Sequence, residues 1–168
     1  MTSRQRKSLR KYLLLNTIIV LMIVTLSGCS AKPKNFTENG LTITLTEEFS
    51  VGSAANYDVY ISNDDVSFSA VEEDADTLEY AGYEIASLND YSLEILELNK
   101  ASKDSLIKRD NYYYFTNTST KSGASFTYVH CMFKGNSSYW VCEFVCKTKD
   151  YKRLENKILG WADTIVIN

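Results

Sequence analysis

Four cysteines, one histidine and 21 carboxylates are the groups of this 168-residue chain that could carry chemistry. A zinc site needs ligands that converge on one point. His130 adjoins Cys131, but neighbouring side chains on an extended strand leave opposite faces, and no Cys-x-x-Cys occurs. For a hard cation, Asp64, Asp65, Glu72, Glu73, Asp74 and Asp76 supply oxygen. Counted from Asp74, however, the place where a calcium loop needs glycine holds Glu79, so a loose cation site is the most that is expected. Nucleophilic catalysis has no support either, because no Gly-x-Ser-x-Gly elbow, phosphate loop or dinucleotide glycine pattern is present. Nothing identifiable in the sequence orients His130 as a base. The expectation is a chain with no catalytic residue, no metal and no cofactor.

The thiols pose a question of register. Cys142 and Cys146 stand four apart on one strand, roughly 13 Å, and cannot bridge one another. A two-residue turn at Gly135-Asn136 sets Cys131 opposite Trp140, diagonal to Cys142 at about 7–8 Å, whereas a four-residue loop sets it directly opposite Cys142. Buried free thiols acting as small hydrophobes are the first expectation, and a Cys131–Cys142 disulfide is the second.

Tyrosine is the other conspicuous group, with Tyr112-Tyr113-Tyr114 in a row. Three consecutive strand residues cannot all face one core, so at least one, Tyr113, is expected to be exposed. The trio is the candidate partner surface, since tyrosine is enriched at interfaces. The competing reading is strand propensity with half-buried rings.

The elements that must position these groups can be read from periodicity. Leu41, Ile43 and Leu45 alternate with threonine as in a half-buried strand, and Tyr57–Ile61 and Val66–Val71 follow suit. From Glu72 to Glu84 there is little periodicity. Leu88, Tyr91, Ile95 and Leu98 then share a helical face, with Ser87 and Asp90 as a capping box. Strands are expected at Ser105–Lys108, Tyr112–Thr118, Ala124–Lys134 and Ser138–Lys147. The first of the two long strands is apolar on both parities, which calls for cover on both faces. Tyr151, Leu154, Ile158 and Trp161 mark a last helix, with Asp150 at its start, before a closing strand at Thr164–Ile167. This order predicts an α+β fold, an antiparallel β-sheet covered by helices in an α/β/α sandwich.

The first 28 residues read differently from the rest. Arg4, Arg6, Lys7, Arg10 and Lys11 precede an apolar run from Leu13 to Leu26, an export signal too short for a bilayer that needs about 20 residues. The segment Leu26-Ser27-Gly28-Cys29 resembles the lipobox of bacterial lipoproteins. That resemblance implies cleavage between Gly28 and Cys29 and a diacylglycerol on the Cys29 thiol, anchoring the chain in membrane lipid on the extracytoplasmic face of the cell membrane. Two acyl chains anchor stably where one does not. The expected organisation is a signal peptide over 1–28, a lipidated N-terminus and tether over 29–38, and one α+β domain over 39–168.

Five of the 18 basic residues and none of the 21 acids precede Cys29, so the remainder carries 13 basic against 21 acidic residues, a net of −8. Between Lys34 and Lys100 there are 15 acids and no base. Such a chain disfavours nucleic acid and anionic wall polymers; solubility is the first reading of the charge, and affinity for cations or a basic protein patch is the second.

Gly40-Leu41-Thr42-Ile43-Thr44-Leu45, Tyr139-Trp140-Val141-Cys142-Glu143-Phe144 and Gly160-Trp161-Ala162 before a terminal strand together resemble small lipoproteins with a PsbP/Mog1-like fold. The resemblance spans about residues 38 to 168 and brings no catalytic residues. It implies a small binding or assembly module. The expected function is therefore a non-catalytic extracytoplasmic binding or accessory module for another envelope or secreted protein. The alternatives are a small-ligand or cation-binding accessory domain and, behind it, an envelope enzyme.

Overall fold

The computed structural model describes residues 31–168, so Gly28 and Cys29 lie outside the described residues. Ten strands and three α-helices follow in the order β1 (Pro33–Glu38), β2 (Leu41–Thr46), β3 (Ser50–Val51), β4 (Val59–Ser62), β5 (Val66–Asp74), α1 (Ala75–Tyr80), α2 (Leu88–Leu98), β6 (Ile107–Lys108), β7 (Tyr113–Lys121), β8 (Ala124–Lys134), β9 (Ser138–Lys147), α3 (Thr148–Ala162) and β10 (Val166–Ile167). Seven strands form the main sheet in the order β3-β4-β5-β9-β8-β7-β6, and β1-β2-β10 form a small sheet. Every pairing is antiparallel. The fold is α+β, as expected. No helix of the described residues is long and apolar enough to cross a membrane.

The N-terminal boundary differs from expectation. Pro33–Glu38, assigned to the tether over 29–38, is a strand, because Phe36 buries its ring opposite Ile43. Proline is tolerated there as the first residue of an edge strand. The two-residue turn Asn39-Gly40, with φ of 48° and 88°, closes this hairpin with the backbone that such turns require.

Hairpin geometry sets the long register. Lys121↔Ala124 flank a second turn with positive φ, Ser122-Gly123. After β8 the connection is longer: Gly135 N donates to Ser138 O at 2.8 Å, and Lys134 faces Tyr139. A Cβ on Gly135 would lie 2.7 Å from Ser138 Oγ and 3.2 Å from Ile167 Cγ2, so this tight corner needs glycine.

Alternation then gives the main sheet two different faces. On the first, Val129, Cys131, Phe133, Trp140, Cys142 and Phe144 bury under Leu154, Ile158 and Ala162 of α3 and under the small sheet. On the second, Phe115, Met132 and Tyr139 bury under Tyr91, Ile95 and Leu96 of α2. Helix α2 starts on Ser87, whose side chain accepts from Asp90 N as expected. Its buried stripe runs through Leu96 rather than Leu98, which is 66% exposed, because helical neighbours at three, four and eight residues make a broader face than the one expected. Helix α3 begins at Thr148, so Asp150 lies in its first turn and is not its cap. The stretch Glu72–Glu84 is ordered too: β5 runs on to Asp74, whose carboxylate caps α1 by accepting from Thr77 N at 2.9 Å.

Candidate functional site

The tyrosine trio is built into the cores. Tyr112 is 1% exposed, stacks on Phe133 at 4.9 Å and donates its hydroxyl to Asp163 Oδ1 at 2.9 Å. Asp163 also takes both forks of Arg109, at 2.9 and 2.7 Å. Tyr113 packs with the α2-side cluster and Tyr114 with the α3-side cluster, both half-buried. Tyr113 is thus half-buried rather than exposed, because α2 packs over its face of β7. The exposed tyrosines stand elsewhere: Tyr80 (95%), Tyr57 (44%) and Tyr83 (38%). Tyr80 and Tyr83 fall within Glu72–Glu84, where the absence of periodicity was the only available signal.

Cys131 lies directly opposite Cys142, the register of the longer loop, and both are buried free thiols, as is Cys146. Burial pushes all three thiols above their ordinary pKa, most strongly the two that face each other. A thiol held protonated and out of water is a poor nucleophile.

His130 does have an orienting partner, contrary to the sequence reading. Its Nδ1 lies 3.1 Å from Glu143 Oε2, directly across the β8–β9 pair, and its Nε2 lies 3.3 Å from Asn117 Oδ1 on β7. Asn117 Nδ2 donates to Asn99 Oδ1 at 3.5 Å, and Asn99 Nδ2 donates to Ile95 O at the end of α2. Phe115 stacks on the imidazole at 4.6 Å. Both ring nitrogens are engaged and the residue is 4% exposed, so the network pins α2 to the sheet and leaves no nitrogen facing a substrate. These partners come from other strands, which sequence spacing could not disclose.

The acids gathered for calcium divide along β5. Asp64 and Asp65 stand at one end and Glu72, Glu73, Asp74 and Asp76 at the other, roughly 23 Å away by the rise of seven strand residues. Glu73 accepts from the Tyr91 hydroxyl, and Asp65 pairs with Arg153 at 3.2 Å. Among the described residues no three His, Cys, Asp or Glu side chains come together to hold a metal.

Several hollows mark the surface of the described residues. One of about 610 Å³ is lined by polar residues, among them Glu48, Ser62, Asp64 and Asp65. A second of about 690 Å³ lies against α1, walled by Tyr83, Tyr139 and Ile85 with Asp76, Glu79 and Glu84 around it. A third of about 340 Å³ lies between the start of α2 and Lys108, Arg109 and Tyr113. Of these, the hollow against α1 is the one that unites carboxylates with aromatic and aliphatic walls, the makeup of a site that both attracts and orients.

No family model matches the sequence, and no curated protein matches it. Among solved structures the chain is similar to a protein of Bacteroides thetaiotaomicron, at TM-score 0.50 and 14% identity, over 82% of this chain and 48% of the other. It thus spans about half the length of that protein. It is also similar to the cyanobacterial PsbP of Synechocystis, at TM-score 0.48 and 11% identity over 86% and 99% of the two chains. A third likeness is to LpqN of Mycobacterium tuberculosis, described as involved in cell envelope biogenesis, at TM-score 0.45 and 11% identity over 82% and 90%. At such identities the Bacteroides likeness is one of fold alone and carries no residue role to this chain.

Proposed function

We propose that this chain is a lipid-anchored, extracytoplasmic binding module that holds or assists another envelope or secreted protein without catalysis of its own. The observation that carries the reading is how the reactive groups of the described domain are used. His130 has both nitrogens engaged, Cys131 and Cys142 are buried, and exposed Tyr83 lies with three carboxylates beside an open hollow. Such a surface is suited to recognition rather than turnover. The anchoring part rests on the lipobox-like Leu26-Ser27-Gly28-Cys29 and the apolar run before it.

Two measurements test it. Cells expressing the chain are labelled with a palmitate analogue and fractionated: the wild type is expected to carry label in the membrane, and Cys29→Ala to lose the label. An unlabelled wild type overturns the anchor. Crosslinking on intact cells followed by mass spectrometry is expected to return a recurring envelope or secreted protein that weakens with Cys29→Ala. If no protein recurs, the binding-module reading falls.

A further inference from the structure

We infer that the hollow against α1 docks a lysine- or arginine-bearing segment of the partner protein. This deepens the binding-module reading and rests on it. The argument begins with charge. All nine ionisable carboxylates of residues 72–97 stand without a single basic residue among them in sequence. Of the three beside the hollow, Asp76, Glu79 and Glu84, none forms a salt bridge among the described residues. Negative potential concentrated in a concave site recruits a cation.

The walls then distinguish this hollow from the other acidic one. Around Glu48, Asp64 and Asp65 no aromatic or aliphatic side chain lines the surface, and Asp65 is already paired with Arg153. Against α1, Tyr83, 38% exposed, offers ring surface and Ile85 an apolar patch, on which the methylene stem of a lysine or the plane of a guanidinium can lie, while Tyr139 is buried beneath them.

The hollow is also held in shape before anything binds. Asp74 caps α1 at its start. At its end Gly82, with φ of +89°, lets Gly82 N donate to Glu79 O at 2.9 Å and Tyr83 N to Leu78 O at 3.1 Å, a Schellman closure that fixes where the Tyr83 ring begins. Ala75 N donates to Ser137 O at 3.0 Å and ties the helix to the β8–β9 connection. Walls fixed in this way lose little freedom on binding. A volume of about 690 Å³ exceeds one ammonium group and suits a side chain with its neighbours, which favours a peptide over a small amine.

The test uses the full chain purified in detergent, whether or not Cys29 carries lipid, so its failure leaves the anchor and the crosslinked partner untouched. A labelled hexalysine peptide is the probe, read by fluorescence anisotropy at about 0.15 M salt, where exposed long-range attraction is screened beyond about 8 Å. Glu79→Gln with Glu84→Gln is expected to weaken binding about tenfold, and Tyr83→Ala about threefold with Tyr83→Phe retaining affinity. Glu47→Gln with Glu48→Gln removes the same charge elsewhere and is expected to change affinity less than about twofold. Glu79, Tyr83 and Glu84 are all exposed, so these variants keep the fold, and unchanged thermal transitions verify it. Equal losses in the two double variants, or no loss with Tyr83→Ala, overturn the inference. Spermidine binding as tightly as hexalysine, with the same sensitivity to Tyr83→Ala, overturns it in favour of a small polyamine.

Discussion

The two faces of the seven-stranded sheet are made by the same strands and do different work. The α3 side is a broad apolar core, with Phe68, Phe144, Trp140 and the three thiols sealed under a helix and a second sheet. The α2 side is narrower. Its core of Tyr91, Phe115, Met132 and Tyr139 gives way at one end to the Asn117–His130–Glu143 network and at the other to the acidic hollow. One face supplies cohesion, while the other holds α2 through directional polar contacts and carries exposed carboxylates and the Tyr83 ring at one end.

That contrast can be broken by substitution. Phe144→Ala, in the sealed face, is expected to cost about 3–5 kcal/mol in urea unfolding, by lost transfer energy and the cavity left behind. His130→Ala, on the other face, is expected to cost about 1–3 kcal/mol, because Glu143 and Asn117 lose their partner. If the two values come out equal, the division of labour is wrong. Tyr80→Ser, at a ring 95% exposed, is expected to stay within about 0.5 kcal/mol of wild type.

The same contrast predicts an alkaline weakness located in the sealed face. Burial raises the thiols of Cys131 and Cys142 and the hydroxyl of Tyr112 above their ordinary values of 9.0 and 10.0. The unfolded chain therefore releases these protons first. Stability is fully present below about pH 9 and declines as pH rises beyond it, which urea midpoints at about pH 8 and pH 10 would register. For the same reason a thiol reagent at about pH 8 is expected to leave Cys131 and Cys142 unmodified in native protein and to label them in urea. Rapid native labelling would mean that this face opens readily.

The strand pair Ala124–Lys134 and Ser138–Lys147 was legible to the residue, as were the Ser87 cap and the α+β class. Strand alternation, helical spacing and capping are local properties, written in neighbouring residues. The strand at Pro33–Glu38 escaped because a lone Phe36 gives no alternation to read, and α1 because six residues with no buried side chain leave no periodic trace. That Tyr113 is half-buried was decided by α2, which packs over one face of β7. The partners of His130 and the opposition of Cys131 to Cys142 depend on strand register, and the split of the acids on the length of β5. Sequence by itself determined the charge polarity of the chain, its lipobox-like segment and the two-sided apolar character of β8. Tertiary structure alone decided which of its reactive groups meet, because that follows from contacts between residues far apart in the chain, and no local pattern encodes them.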